Sequence, residues 1–135
     1  MPDAFGLLLT ALLGGVGAAA RFALDTGVTA RIVRMGRTPR LPWGTLAVNL
    51  LGSLGIGVVV GIGSVALPAT WATVIGVGLF GGFTTFSTAS YETVRLLQRG
   101  RWGAALLVGI GQLLTAVLAV ALGWWIGASL ASLAR

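Results

Sequence analysis

From Leu41 to Tyr91 the chain runs for 51 residues without a formal charge, and from Trp102 to Ala134 it runs for another 33. About 18 consecutive apolar residues are enough to cross a bilayer as a helix. These two runs, with a third apolar stretch from Phe5 to Ala20, leave little room for a water-soluble fold. Composition agrees: 56% of residues are hydrophobic and only 9% charged, against about 25% charged in a typical soluble domain. The net charge of +6 would suit a nucleic-acid partner. However, the cations, all arginines, stand in short tracts between the apolar runs, where they face lipid headgroups. The sequence reads as an all-α integral membrane protein with membrane lipid, and no nucleic acid, around it.

The same composition excludes most enzymology. The chain has no Cys and no His, so thiol chemistry, histidine general bases and His/Cys metal sites are unavailable. Its acids are Asp3, Asp25 and Glu92, a poor basis for the paired carboxylates that hydrolysis usually needs. The amino terminus ends in a small-residue triplet, Ala18-Ala19-Ala20, but begins Met1-Pro2-Asp3 without the positive charge of a secretory signal. It is read as the first helix.

Four spans fit one membrane domain: about 4–24, 43–63, 71–94 and 102–128. Trp43, Trp71 and Trp102 each open a span, and Trp124 and Trp125 mark the far end of the last, as expected of rings that prefer the headgroup level. Glycines recur at small-xxx-small spacing, as in Gly57/Gly61, Gly78/Gly82 and Gly123/Gly127, where they let helix backbones approach.

Arg31, Arg34, Arg37 and Arg40 repeat every third residue after the first span. A voltage sensor would need them on an intramembrane helix, but Gly36, Pro39 and Pro42 interrupt the run. It is read as a headgroup-binding loop. Eight arginines fall on the side of the 1–2 and 3–4 loops, and only Arg135 on the side of the termini. The positive-inside bias therefore predicts cytoplasmic loops with both termini outside, in the cell inner (plasma) membrane.

The third span departs from an ordinary helix. Two adjacent glycines, Gly81 and Gly82, precede Thr84, Thr85, Ser87, Thr88 and Ser90, a poor helix-forming mixture at mid-depth. A helix broken near the membrane midplane is predicted there, because irregular backbone in a membrane marks a buried or cavity-lining site. Freed carbonyls at such a break suit a cation, and the following helix N-terminus suits an anion. The competing account is a continuous helix whose hydroxyls bond back to their own carbonyls. Asn49, Gln112 and Thr115 are polar at depth as well; each serves either as an interhelical bond or as a donor to a permeating anion. Phe86 packs against lipid or core, or turns its positive ring edge to an anion. Arg21 is expected to snorkel and to pair with Asp25 one turn on.

Gly14 through Phe22, Gly44 through Ser53 and Gly81 through Glu92 together resemble the Fluc (CrcB-type) fluoride channel family over essentially the whole chain. The resemblance implies a passive fluoride channel: an antiparallel dimer with two anion pathways and a central structural sodium. By the same likeness the backbone carbonyls of Gly81 and Thr84 would hold the sodium. Asn49, Phe86, Ser87 and Thr88 would border the anion path, with Thr45 and Glu92 nearby. Two departures stand out. Members often have a second phenylalanine three residues after the first, where this chain has Ala89; and the face Val108, Gln112, Ala116 keeps one polar residue where members commonly show several. A chain that inserts both ways should have nearly balanced loops, so the arginine split points to a related, oppositely oriented chain as the partner. The rival is a small four-helix drug or guanidinium exporter, which needs an intramembrane acid; between Ala4 and Ala20 there is none.

Overall fold

The computed structural model describes residues 4–134. Among them every regular element is helical. Asp3 and Arg135, which enter the charge count for the terminal side, lie outside the described residues. Four helical stretches are long and apolar enough to cross a membrane: Ala4–Arg34, Trp43–Gly63, Ala69–Gln98 and Trp102–Leu133. They are called the first to fourth helices below.

The first helix runs ten residues beyond the expected end at Leu24, so Arg31 and Arg34 lie on it rather than in a loop. The expected end followed bilayer thickness, whereas the helix stops at its first real terminator. Gly36 has φ +70°; its N–H reaches Val33 O at 2.9 Å, and the Arg37 N–H reaches Ile32 O at 3.2 Å. This paired closure satisfies two carbonyls that a helix end leaves open. Gly100, also at φ +70°, ends the third helix in the same way, with Gly100 N–H to Leu97 O and Arg101 N–H to Leu96 O, both 2.9 Å. The two turns fix the arginine-bearing rims of the loop side.

Packing rests on glycine rather than on large apolar side chains. At Gly57, Gly61, Gly123 and Gly127 an added Cβ would run into the backbone of the facing helix, so the second and fourth helices meet main chain to main chain. Gly17 and Gly82 make the same contact between the first and third helices, against Leu79 O and Gly14 O respectively. Lipid tails are as apolar as leucine, so close van der Waals approach drives this association more than hydrophobic burial does. Most large apolar side chains, Leu7, Leu12, Phe22 and Leu118 among them, accordingly face outward.

The third helix is broken as expected. It begins as Ala69–Thr73, widens into π-helical turns over Val74–Phe80, and tightens again at Gly81–Phe83. Thr84 and Thr85 then turn extended, with ψ of 160° and 118°. A new helix, Phe86–Gln98, follows. The fourth helix has its own wide turns at Leu107–Gly111, just before Gln112. Such turns often mark functional sites.

Candidate functional site at the helix break

The second helix sets Thr45, Asn49 and Ser53 four residues apart, hence on one face, and all three are buried. This polar stripe meets the break. The Asn49 amide grips the backbone of Thr85 with both ends: the Thr85 N–H donates to Asn49 Oδ1 at 2.7 Å, and Asn49 Nδ2 donates to Thr85 O at 2.8 Å. An interhelical bond and an anion donor were alternatives for Asn49 in the sequence. The geometry makes it the bond, while the second amide hydrogen stays available to the groove it lines.

Thr85, which the sequence reading counted only among the hydroxyls, is the centre of the site. It caps the second half-helix: its Oγ1 accepts from the Thr88 N–H at 3.2 Å and donates to Thr88 Oγ1 at 2.9 Å, with Ser87 Oγ 3.3 Å away. Threonine is a preferred N-cap, but Thr84 carries the same side chain, so the sequence does not say which of the two caps the helix. The hydroxyls of the block divide into two groups. Thr84 Oγ1 and Ser90 Oγ bond back to Phe80 O and Phe86 O, as a plain helical hydroxyl does. Thr85, Ser87 and Thr88 instead form a cluster at the helix N-terminus, where the dipole favours an anion.

The carbonyls at the break follow from the same bonds. In a continuous helix Gly81 O would accept from the Thr85 N–H, and Thr84 O from the Thr88 N–H. Those donors are diverted to Asn49 Oδ1 and Thr85 Oγ1. Gly81 and Thr84, the pair singled out by the family resemblance, are therefore two carbonyls that the break releases. Carbonyl oxygens are the ligands a hard cation prefers, so the residues present fit such an ion.

Two cavities meet at Thr85. A groove of about 540 Å³ includes Asn49, Ser53, Thr85, Phe86, Ala89 and Gln112 in its lining. A chamber of about 200 Å³ on the loop side is lined by Arg21, Phe22, Asp25, Thr45, Val48, Thr85 and Thr88. Arg21 and Asp25 share this chamber, but among the described residues no ion pair closes between them; Asp25 packs against Gly44 instead. Val108, Gln112 and Ala116 line the groove as one face, and Gln112 Oε1 is buried without a hydrogen-bond partner. Thr115 is not brought to the groove: it faces outward and bonds to Gly111 O and Gln112 O of its own helix. Glu92 lies one turn beyond Thr88 on the same helix, half-buried. Phe86 is 86% exposed, and Gly81 and Ser87 are exposed beside it.

Residues 8–124 match the family model described as CrcB-like protein, Camphor Resistance (CrcB). The chain belongs to the CrcB family. Among its relatives, the fluoride-specific ion channel FluC 1 of Leifsonia xyli subsp. xyli is 43% identical over 122 residues, covering 90% of this chain and 85% of that protein. FluC 1 of Thermobifida fusca is 41% identical over 88% of this chain and 97% of its own length. FluC of Syntrophotalea carbinolica is 48% identical over 73% and 78%. These CrcB relatives are named as channels, a transporter family and not an enzyme family, which agrees with the exclusion of catalysis from composition. With its four spans, this CrcB protein is a multi-pass membrane protein.

Proposed function

We propose that this CrcB-family protein is a passive fluoride channel of the inner (plasma) membrane, exporting cytoplasmic fluoride through the cavities that meet at Thr85. One observation carries the reading: a largely apolar groove with polar groups at Asn49, Ser53 and Gln112, and a chamber that holds Arg21, Asp25 and Thr45, both reach Thr85 at a helix N-terminus whose cap is a cluster of hydroxyls. Fluoride is small and strongly hydrated, so a pore must replace its water with donors while binding weakly enough to allow exit. The hydroxyls of Ser87 and Thr88, the free hydrogen of Asn49 and the ring edge of Phe86 offer such donors without a full positive charge, while the Thr85 hydroxyl hydrogen is committed to Thr88 Oγ1. Arg21 and Thr45 stand at the chamber together with Asp25, whose carboxylate offsets the guanidinium charge and keeps anion binding there weak. Gln112, in the lining of the groove, carries an amide donor as well. Flow follows the gradient, without ATP or a coupled ion.

A partner is part of the proposal. Gly81, Phe86 and Ser87, which flank the break, are exposed in a single chain, and the open N–H groups at the start of a helix need a partner inside a membrane. An antiparallel second subunit laid over this face covers the break and gives each assembly two anion pathways. It also brings the matching pair of break carbonyls of the partner towards Gly81 O and Thr84 O, making four oxygens for a structural sodium. The arginine split favours a related chain of opposite orientation over a second copy, with the basic loops of this subunit cytoplasmic and its termini outside.

The test is fluoride efflux from proteoliposomes holding the chain alone or with a related chain of opposite loop charge. Efflux that rises on co-reconstitution, and falls with Phe86→Ala, is the expected result. No fluoride efflux in any combination refutes the channel; full efflux from the chain alone refutes the heteromeric partner only.

A further inference from the structure

A wide groove on the loop side stands apart from the ion path. It opens between the end of the first helix and the start of the fourth, and has a volume of about 910 Å³. Arg37, Arg40 and Arg101 rim it, Ile32, Met35 and Leu107 are among its apolar lining, and no acidic residue contributes to it. The rim is built rather than incidental: Arg101 Nη1 donates to Arg40 O at 2.6 Å, joining the two loops. The Gly36 and Gly100 turns hold both loops in place. Trp43 lines the groove and Trp102 adjoins Arg101 at the start of the fourth helix. Tryptophans at span ends lie at headgroup level, which sets the groove's depth.

We infer that this groove is a binding site for one anionic phospholipid. Its phosphate sits among Arg37, Arg40 and Arg101, and one acyl chain lies along Ile32, Met35 and Leu107. A guanidinium pairs with phosphate oxygens through two parallel N–H bonds, and basic pockets between membrane helices suit anionic headgroups. The apolar lining decides between a lipid and a free phosphate, because a soluble anion makes no use of it. Such a lipid bridges the loops that carry Arg37, Arg40, Arg99 and Arg101, and it is independent of whether the protein conducts fluoride.

The test is lipid binding to the purified full-length protein in non-ionic detergent, followed by native mass spectrometry. Phosphatidylglycerol is expected to bind at least tenfold more tightly than phosphatidylcholine of the same chains, with no competition from millimolar inorganic phosphate. Arg37→Gln with Arg40→Gln should weaken phosphatidylglycerol about 30-fold at low salt, while Arg95→Gln, outside the groove, should not. Met35→Glu keeps every arginine and should also weaken it, which guards against a merely misfolded double variant. Equal affinity for the two lipids, wild-type binding by the double variant or by Met35→Glu, or full competition by phosphate would each overturn the site.

Discussion

Replacing Asn49 with Ala tests the reading of the break most directly. An interhelical polar contact in a membrane protein averages only about 0.6 kcal/mol, because a freed group usually finds another partner. Thr85 has less choice. Its N–H is buried, donates to Asn49 Oδ1 and sits in extended backbone beyond the last turn of the first half-helix. It regains a partner only if Thr84 swings from ψ 160° back to helical values and the chain closes on Gly81 O. Without that swing the cost is that of a buried unsatisfied donor, about 1–3 kcal/mol; with it, the released carbonyl and the helix N-terminus at the site are lost together. The expected loss in Asn49→Ala is therefore about 2 kcal/mol, read as reversible unfolding in mixed micelles by tryptophan fluorescence. Fluoride efflux should fall at least tenfold in parallel. A loss at or below the 0.6 kcal/mol average, with efflux retained, would mean that Asn49 does not hold the break open.

Gln112 should behave in the opposite way in the same unfolding assay: Gln112→Leu removes a buried oxygen with no partner and should leave stability unchanged or raise it by up to about 1 kcal/mol, while lowering efflux. Thr85→Val, which keeps the Asn49 bonds to backbone but deletes the cap, should cost about 1 kcal/mol; Thr85→Ser should be close to wild type, and a full loss in the serine variant would argue against the cap. Gly123→Leu puts a side chain into the backbone of the second helix at Leu54 and should cost about 1–3 kcal/mol or more. Gly27→Ala meets nothing within 4 Å and should be neutral or stabilising by up to about 1 kcal/mol.

Much of the architecture was legible because the membrane simplifies the problem. Charge-free length gave four spans, and Pro42 and Pro68, which start helices well because their missing N–H does no harm there, precede the second and third helices. A break in the third helix was legible from helix propensity together with the cost of irregular backbone in a membrane. The register of that break was not. Whether a given hydroxyl bonds back to its own helix or outward depends on a difference of one residue, and the sequence gives Thr84 and Thr85 the same side chain. Only the packing against Asn49, four residues after Thr45 on a neighbouring helix, sets Thr85 apart. The end of the first helix was missed for a simpler reason: bilayer thickness limits how much of a helix is apolar, not how far it extends into the headgroups.

The charge split and the exposed break bear on the partner through unrelated physics. The first concerns insertion, where the bias of arginines decides which loops stay on the cytoplasmic side. The second concerns solvation, where Gly81, Ser87 and the 86% exposed Phe86 would leave polar backbone against hydrocarbon. A parallel second copy would satisfy solvation but would set identical arginine loops side by side on one face. An antiparallel second copy would satisfy solvation too, but would place the eight arginines of its loop side on the side that the bias disfavours. The proposed partner, a chain with the same break and the reverse loop charge, would meet both conditions. Moving arginines from the 1–2 loop to the termini of this chain should then let it insert in both orientations and pair with itself. A cysteine introduced into that loop reports the outcome against a background with no native cysteine. If the rebalanced chain still inserts in one direction only, loop charge does not set its orientation, and the case for a partner of opposite charge falls with it.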